Sequence, residues 1–172
     1  MTTQNHLSYI NSSNFLSFLY LAIILLILSL FSLNSHALET EFQASPKNEG
    51  KSRLVSSGYQ EADDVINAGI HVKLSDTWKT YWKKSGDSGM PFTVEFKNSQ
   101  NIESYDLLWP APKRFVDFGL ESLGYKDEVL FPIKIYPENP QSEVKADINV
   151  KWAICDKICI FEEDNFSLSV PA

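Results

Sequence analysis

From Val144 to Trp152 apolar and polar side chains alternate without a break, and the segment then delivers the chain's two cysteines, Cys155 and Cys159. Period two sustained over this length describes a half-buried β-strand. Val144, Ala146, Ile148, Val150, Trp152 and Ile154 fall on its core face. Lys145, Asp147, Asn149, Lys151 and, by the same count, Cys155 fall on the polar face. The first cysteine is therefore expected to leave the strand toward solvent, where a thiol can react.

The spacing sets a second condition. A strand running straight through Cys159 would hold the two cysteines roughly 13 Å apart, at about 3.3 Å per residue. A disulfide needs Cα atoms about 4.4–6.8 Å apart, so either the chain turns within Asp156-Lys157-Ile158 or the pair never bonds. Asp156 suits a turn. A ring this small stabilises the fold by only about 2 kcal/mol, less than a structural staple usually supplies. A close, exposed pair is better suited to thiol–disulfide exchange, in which one thiolate attacks a partner and its neighbour resolves the mixed disulfide. A small structural disulfide in an exported protein is the competing reading. Zinc fits poorly, because four N/S ligands are normal in a structural site and His71 is the one histidine left beyond the leader.

The leader is polar from Met1 to Phe15 and apolar from Leu16 to Leu33, and it ends in Ser35-His36-Ala37. This is the layout of a secretory signal peptide cleaved after Ala37. An apolar run of this length and an n-region without Lys or Arg also fit an uncleaved N-terminal anchor through residues 16–33. Either outcome exports the remainder to a compartment where cysteines hold a disulfide. Residues 38–52 are expected to be a flexible lead-in and 53–172 one domain. The formal charge of −7 lies entirely beyond the leader. Basic residues do not run beyond pairs such as Lys83-Lys84 and Lys113-Arg114, which argues against nucleic acid as a partner.

Past Arg53 the pattern is one of short strands. Ile70/Val72/Leu74, Phe92/Val94/Phe96, Val129/Phe131/Ile133/Ile135 and Phe166/Leu168/Val170 each alternate with other residues. Pro132 suggests an edge or a strand start, and Glu61 to Asn67 has room for a helical turn or two. Loops rich in Gly and Pro separate the strands, as in Ser85-Gly86-Asp87-Ser88-Gly89, Trp109-Pro110-Ala111-Pro112 and Pro137-Glu138-Asn139-Pro140. The expected fold is all-β, an immunoglobulin-like antiparallel β-sandwich. His71 falls on a polar phase and reads as an exposed strand residue.

Trp78, Tyr81 and Trp82 read either as packing or as a ligand-stacking platform for sugars or peptides. Phe115-Val116-Asp117-Phe118-Gly119-Leu120 is rich in apolar residues for a loop. It either covers the cysteine pair or plugs the end of the sandwich.

Seven segments in order carry a family resemblance: Arg53–Ser56, Ala68–Leu74, Trp78–Trp82, Gly86–Pro91, Trp109–Phe115, Gly124-Tyr125-Lys126 and Cys155–Ile160. Together they resemble the periplasmic N-terminal domain of the DsbD/ScsB thiol:disulfide interchange proteins, in its C-x3-C form. The resemblance implies an immunoglobulin-like domain whose pair Cys155/Cys159 is redox-active. A membrane-embedded or thioredoxin-like thiol donor reduces it, and it then reduces client disulfides in the periplasm without a cofactor or metal. It also implies a cap loop over the pair, at about Phe115 to Gly124, with Phe115 and Phe118 as cap residues.

Departures accompany the likeness. DsbD itself spaces its cysteines further apart, and relatives with this spacing usually place proline where this chain has Phe161. The multi-span membrane segment and the thioredoxin-like domain have no counterpart in these 172 residues, so separate partners are expected. Acidic neighbours (Asp156, Glu162, Glu163, Asp164) would raise a thiol pKa and Lys151 and Lys157 would lower it, so charge does not select the attacking thiol. On sequence alone, Cys159→Ser is the variant expected to trap a partner.

Overall fold

Strands form where the alternation predicts them, in a computed structural model that describes Tyr20, Leu21, Ile23, Ile24 and residues 38–171. In chain order they are β1 (Leu38–Glu39), β2 (Gln43–Ala44), β3 (Gly50–Gln60), β4 (Val65–Leu74), β5 (Lys79–Gly86), β6 (Thr93–Gln100), β7 (Ser104–Leu107), β8 (Lys113–Asp117), β9 (Leu120–Lys126), β10 (Glu128–Tyr136), β11 (Val144–Cys155) and β12 (Cys159–Val170). One sheet runs β1-β3-β4-β10-β7 with β2 on β3; the other runs β12-β11-β5-β9-β8 with β6 on β11. The pairings are antiparallel, and the fold is the immunoglobulin-like β-sandwich expected.

Of the expected leader, Tyr20, Leu21, Ile23 and Ile24 are helical, while the expected cleavage site Ser35-His36-Ala37 lies outside the described residues. Among the described residues no helix is long and apolar enough to cross a membrane. β1 and β2, within the stretch expected as a lead-in, both pair with β3.

β11 is the spine of its sheet. It pairs with β12 from Val144↔Val170 to Cys155↔Cys159. Its other edge is shared: β6 lies along Lys145 to Lys151, and β5 meets it at Cys155↔Lys79. Val144, Ala146, Ile148, Val150, Trp152 and Ile154 are all buried, as the alternation requires. Opposite them the first sheet contributes Leu54, Ile70, Val72, Phe131 and Ile133. Phe131 stacks on Phe92 at a centroid distance of 4.0 Å and meets Trp109 and Tyr125 edge-on.

Three expectations need correction. Pro132 is in neither an edge strand nor a strand start, because β10 lies between β4 and β7. Its carbonyl accepts from the Leu108 N–H at 2.8 Å, on the β7 side. Its nitrogen faces that side too, just past the paired register, so the missing N–H costs the β4 ladder nothing. Glu61–Asp64 is a turn, and Val65 already belongs to β4. His71 does lie on the polar phase, yet it is 9% exposed. Phe42 packs on its ring, Arg53 Nε donates to Nδ1, and Glu128 pairs with Nε2.

A buried carboxylate ties the two sheets together. Asp164 of β12 accepts from Trp152 Nε1 at 2.8 Å and from Ser52 Oγ across the sandwich. Burial pushes its carboxyl up, against the two hydrogen bonds that lower it. A group held above its unfolded value contributes stability below that value and loses it as pH rises through the folded one. Asp164→Asn keeps an acceptor for both donors. The melting temperature of Asp164→Asn relative to the parent should therefore climb as pH rises from about 4 toward neutrality. A difference that stays constant over that range would contradict this account.

Candidate functional site

The two cysteines sit at the end of the β11–β12 hairpin. Asp156-Lys157-Ile158 closes it, with the Asp156 N–H donating to the Ile158 carbonyl at 3.0 Å. Cys155 and Cys159 are cross-strand partners with Cα atoms 4.2 Å apart, and their sulfurs are bonded. That spacing is near the roughly 4.5 Å of a non-hydrogen-bonded antiparallel pair. The turn expected within Asp156-Lys157-Ile158 is thus what makes the bond.

The two sulfurs differ in access. Cys159 is exposed, and Ile158 and Phe161 beside it are 65% and 67% exposed. Cys155 is 2% exposed, contrary to the solvent-facing position expected for it. The phase was right, since Cys155 is on the face opposite Trp152 and Ile154. That face is roofed, however: Tyr81, Ala153 and Cys155 form a small second apolar cluster with Met90 against it. Alternation assigns a residue to a face; it does not reveal whether a loop from elsewhere covers that face. The roof depends on Gly89, which has φ +85°, and a Cβ there would come within 2.3 Å of the Tyr81 ring.

Continuing the row of paired residues across the sheet brings in groups that no sequence motif marks. Cys159 pairs with Cys155, Cys155 with Lys79, and Lys79 with Lys126. Cross-strand partners share a face with Cβ atoms about 4.5–5.5 Å apart. Two lysines therefore follow the disulfide in one line. The Lys79 side chain is 8% exposed and forms an ion pair with Asp117. Burial disfavours its charged form, the Asp156 carboxylate offsets this, and Lys126 adds repulsion. The alternation of Trp78-Lys79-Thr80-Tyr81-Trp82 does place Lys79 and Tyr81 on one face; what it lacks is the register to β11.

Phe115 to Gly124, expected as a loop, is instead part of the β8–β9 hairpin, turned by Phe118-Gly119 with φ of 53° and 84°. Positive φ at both positions is the requirement of a type I′ turn. Phe115 is half-buried, its ring centroid 5.4 Å from Lys79 Nζ. Phe118 is 92% exposed at the tip. Trp78 and Trp82 pack against the main core, which favours the packing reading over a stacking platform. Among the described residues no group of three or more His, Cys, Asp or Glu side chains is placed to hold a metal.

The sandwich thus presents one bonded cysteine pair at a hairpin end, with Cys155 covered and Cys159 open. The family model described as the N-terminal domain of thiol:disulfide interchange protein DsbD matches residues 51–171, and the chain belongs to that family. The N-terminal periplasmic domain of ScsB from Proteus mirabilis shares the fold, with a TM-score of 0.63 and 22% identity. The match covers 77% of this chain and 51% of that one, so this chain spans about half the length of its structural relative. The reduced DsbD N-terminal domain of Neisseria meningitidis matches at a TM-score of 0.46 and 12% identity, over 74% of this chain and 90% of that one. No curated protein sequence matches this one.

Proposed function

We propose that this domain is exported to the periplasm and relays two electrons through Cys155 and Cys159. The donor is a membrane-embedded or thioredoxin-like dithiol, and the acceptors are client disulfides. The observation that carries this reading is the unequal access to the two bonded sulfurs: Cys159 is open and Cys155 is covered. A donor thiolate reaches Cys159, forms a mixed disulfide with it and displaces Cys155 with the electron pair of the broken S–S bond. The donor's second thiol then attacks its own sulfur in that mixed disulfide and releases Cys159. Two electrons and two protons have moved to the domain, and the reverse sequence passes them to a client. The electrons travel in sulfur–sulfur and sulfur–hydrogen bonds, so the relay calls for no cofactor.

Ile158 and Phe161 offer apolar surface beside Cys159 for a docking partner. The β8–β9 hairpin, with Phe115 and Phe118, is the cap of this reading. Residues 1–37 are the export signal, retained as an anchor if cleavage fails, and 53–172 form the redox domain. The reduction potential tests the proposal. Equilibration in graded thiol–disulfide buffers, followed by alkylation and mass measurement, is expected to place the pair above about −300 mV. A value well below that would make Cys155–Cys159 a structural brace in a binding or assembly domain.

A further inference from the structure

Breaking the disulfide at its open end creates an electrostatic problem at the covered one. Attack by a partner thiolate on Cys159 leaves the electron pair on Cys155, a residue 2% exposed beneath Tyr81 and Met90. A buried anion without a counter-charge is strongly disfavoured and takes up a proton instead. The neighbour in register on the same face is Lys79, whose ammonium is itself withdrawn from water and neutralised by Asp117 at the end of β8.

We propose that Lys79 is the counter-charge of the Cys155 thiolate, and that it turns from Asp117 to Cys155 when the disulfide opens. This rests on the relay reading above only for its supply of a partner dithiol. In the opening step the Cys155–Cys159 bond breaks, a Cys159–partner bond forms, and Cys155 keeps the electron pair. Lys79 changes partner without giving up its proton.

Several charged and titratable groups face Lys79 and set this balance. Asp117 comes from β8, Lys126 from β9, and Asp156 from the turn after β11. Tyr81, on the same face of β5, is held neutral by a phenol that burial pushes up. Lys126 repels the ammonium from the far side of the row, while Asp117 and a Cys155 thiolate compete for it. Phe115 lies over the same ammonium, so the exchange also removes the charge that ties the end of β8 to β5. The state of the disulfide is thereby coupled to the cap hairpin through one side chain.

The test is a titration that needs no partner, so its failure is separable from failure of the relay. In the full chain carrying Cys159→Ser, Cys155 is the single thiol, and its ultraviolet thiolate absorbance is followed against pH. Adding Lys79→Met is expected to raise the midpoint by at least about one pH unit, about tenfold less thiolate at neutral pH. Lys79→Arg should restore most of the loss. Asp117→Asn, which frees the ammonium, should move the midpoint the other way. Thermal unfolding of each variant checks that it folds, and Asp117→Asn carries the test alone if Lys79→Met does not. A midpoint indifferent to Lys79→Met, or a rise with Asp117→Asn, would overturn the proposal.

Discussion

With Cys155 replaced by Ser, the domain is expected to accumulate as a mixed disulfide between Cys159 and its partner, whereas Cys159→Ser should trap essentially nothing. The asymmetry follows from burial. Cys159 is exposed, so in the proposed relay it is the sulfur that a partner thiolate reaches and the thiolate that reaches a client disulfide. Cys155 is 2% exposed and can act only inward, on the sulfur four residues away. Removing the inward thiol leaves the intermolecular bond with no resolving group on this side, so it persists. Removing the outward thiol leaves a cysteine that partners cannot approach. This reverses the assignment made from sequence alone, which placed Cys155 toward solvent. Non-reducing gels of both variants from cell extracts, with mass identification of shifted bands, would decide it. Stronger trapping by Cys159→Ser would mean that Tyr81 and Met90 do not guard Cys155.

The largest stability effect is expected at Trp152. Its side chain is among the largest fully buried ones, and its Nε1–H donates to Asp164 at 2.8 Å. It also packs close to Gly50, where an added Cβ would lie 3.1 Å from the indole. Trp152→Ala removes this bulk from the middle of the sandwich and leaves a cavity, at a cost of about 3–5 kcal/mol. It also leaves Asp164 with Ser52 as its remaining donor, which adds to the loss because an under-satisfied buried carboxylate is costly. A domain of this size typically has about 5–15 kcal/mol in total. The melting temperature should therefore fall by roughly 10 °C or more. Trp152→Phe keeps most of the volume and should lose much less. A fall of only a few degrees for Trp152→Ala would show that the core closes over the gap.

Legibility in the sequence followed the range of the interaction. β11 and its turn were readable because their causes are local: strict alternation, then a turn residue between two cysteines. The β8–β9 hairpin was harder to see. Val116, Phe118 and Leu120 are apolar yet 61%, 92% and 48% exposed, so no buried face imposes a pattern on Phe115 to Leu120. The roof over Cys155 comes from Tyr81 and from the loop carrying Gly89 and Met90, more than sixty positions upstream in the chain. Ser52 reaches Asp164 across a separation of 112 residues. Period counting cannot supply contacts of that kind, and Lys79 was missed for the same reason. Its significance lies in the rung it shares with Cys155.

The ladder below the cysteines has a kinetic consequence. β11 and β12 stay registered all the way down to Val144↔Val170, so strand pairing holds the hairpin along its whole length in addition to its sulfur bond. Oxidised and reduced forms can share one backbone, and each thiol waits beside the other at a very high effective concentration. Opening and closing the bond then asks little of the backbone in either direction.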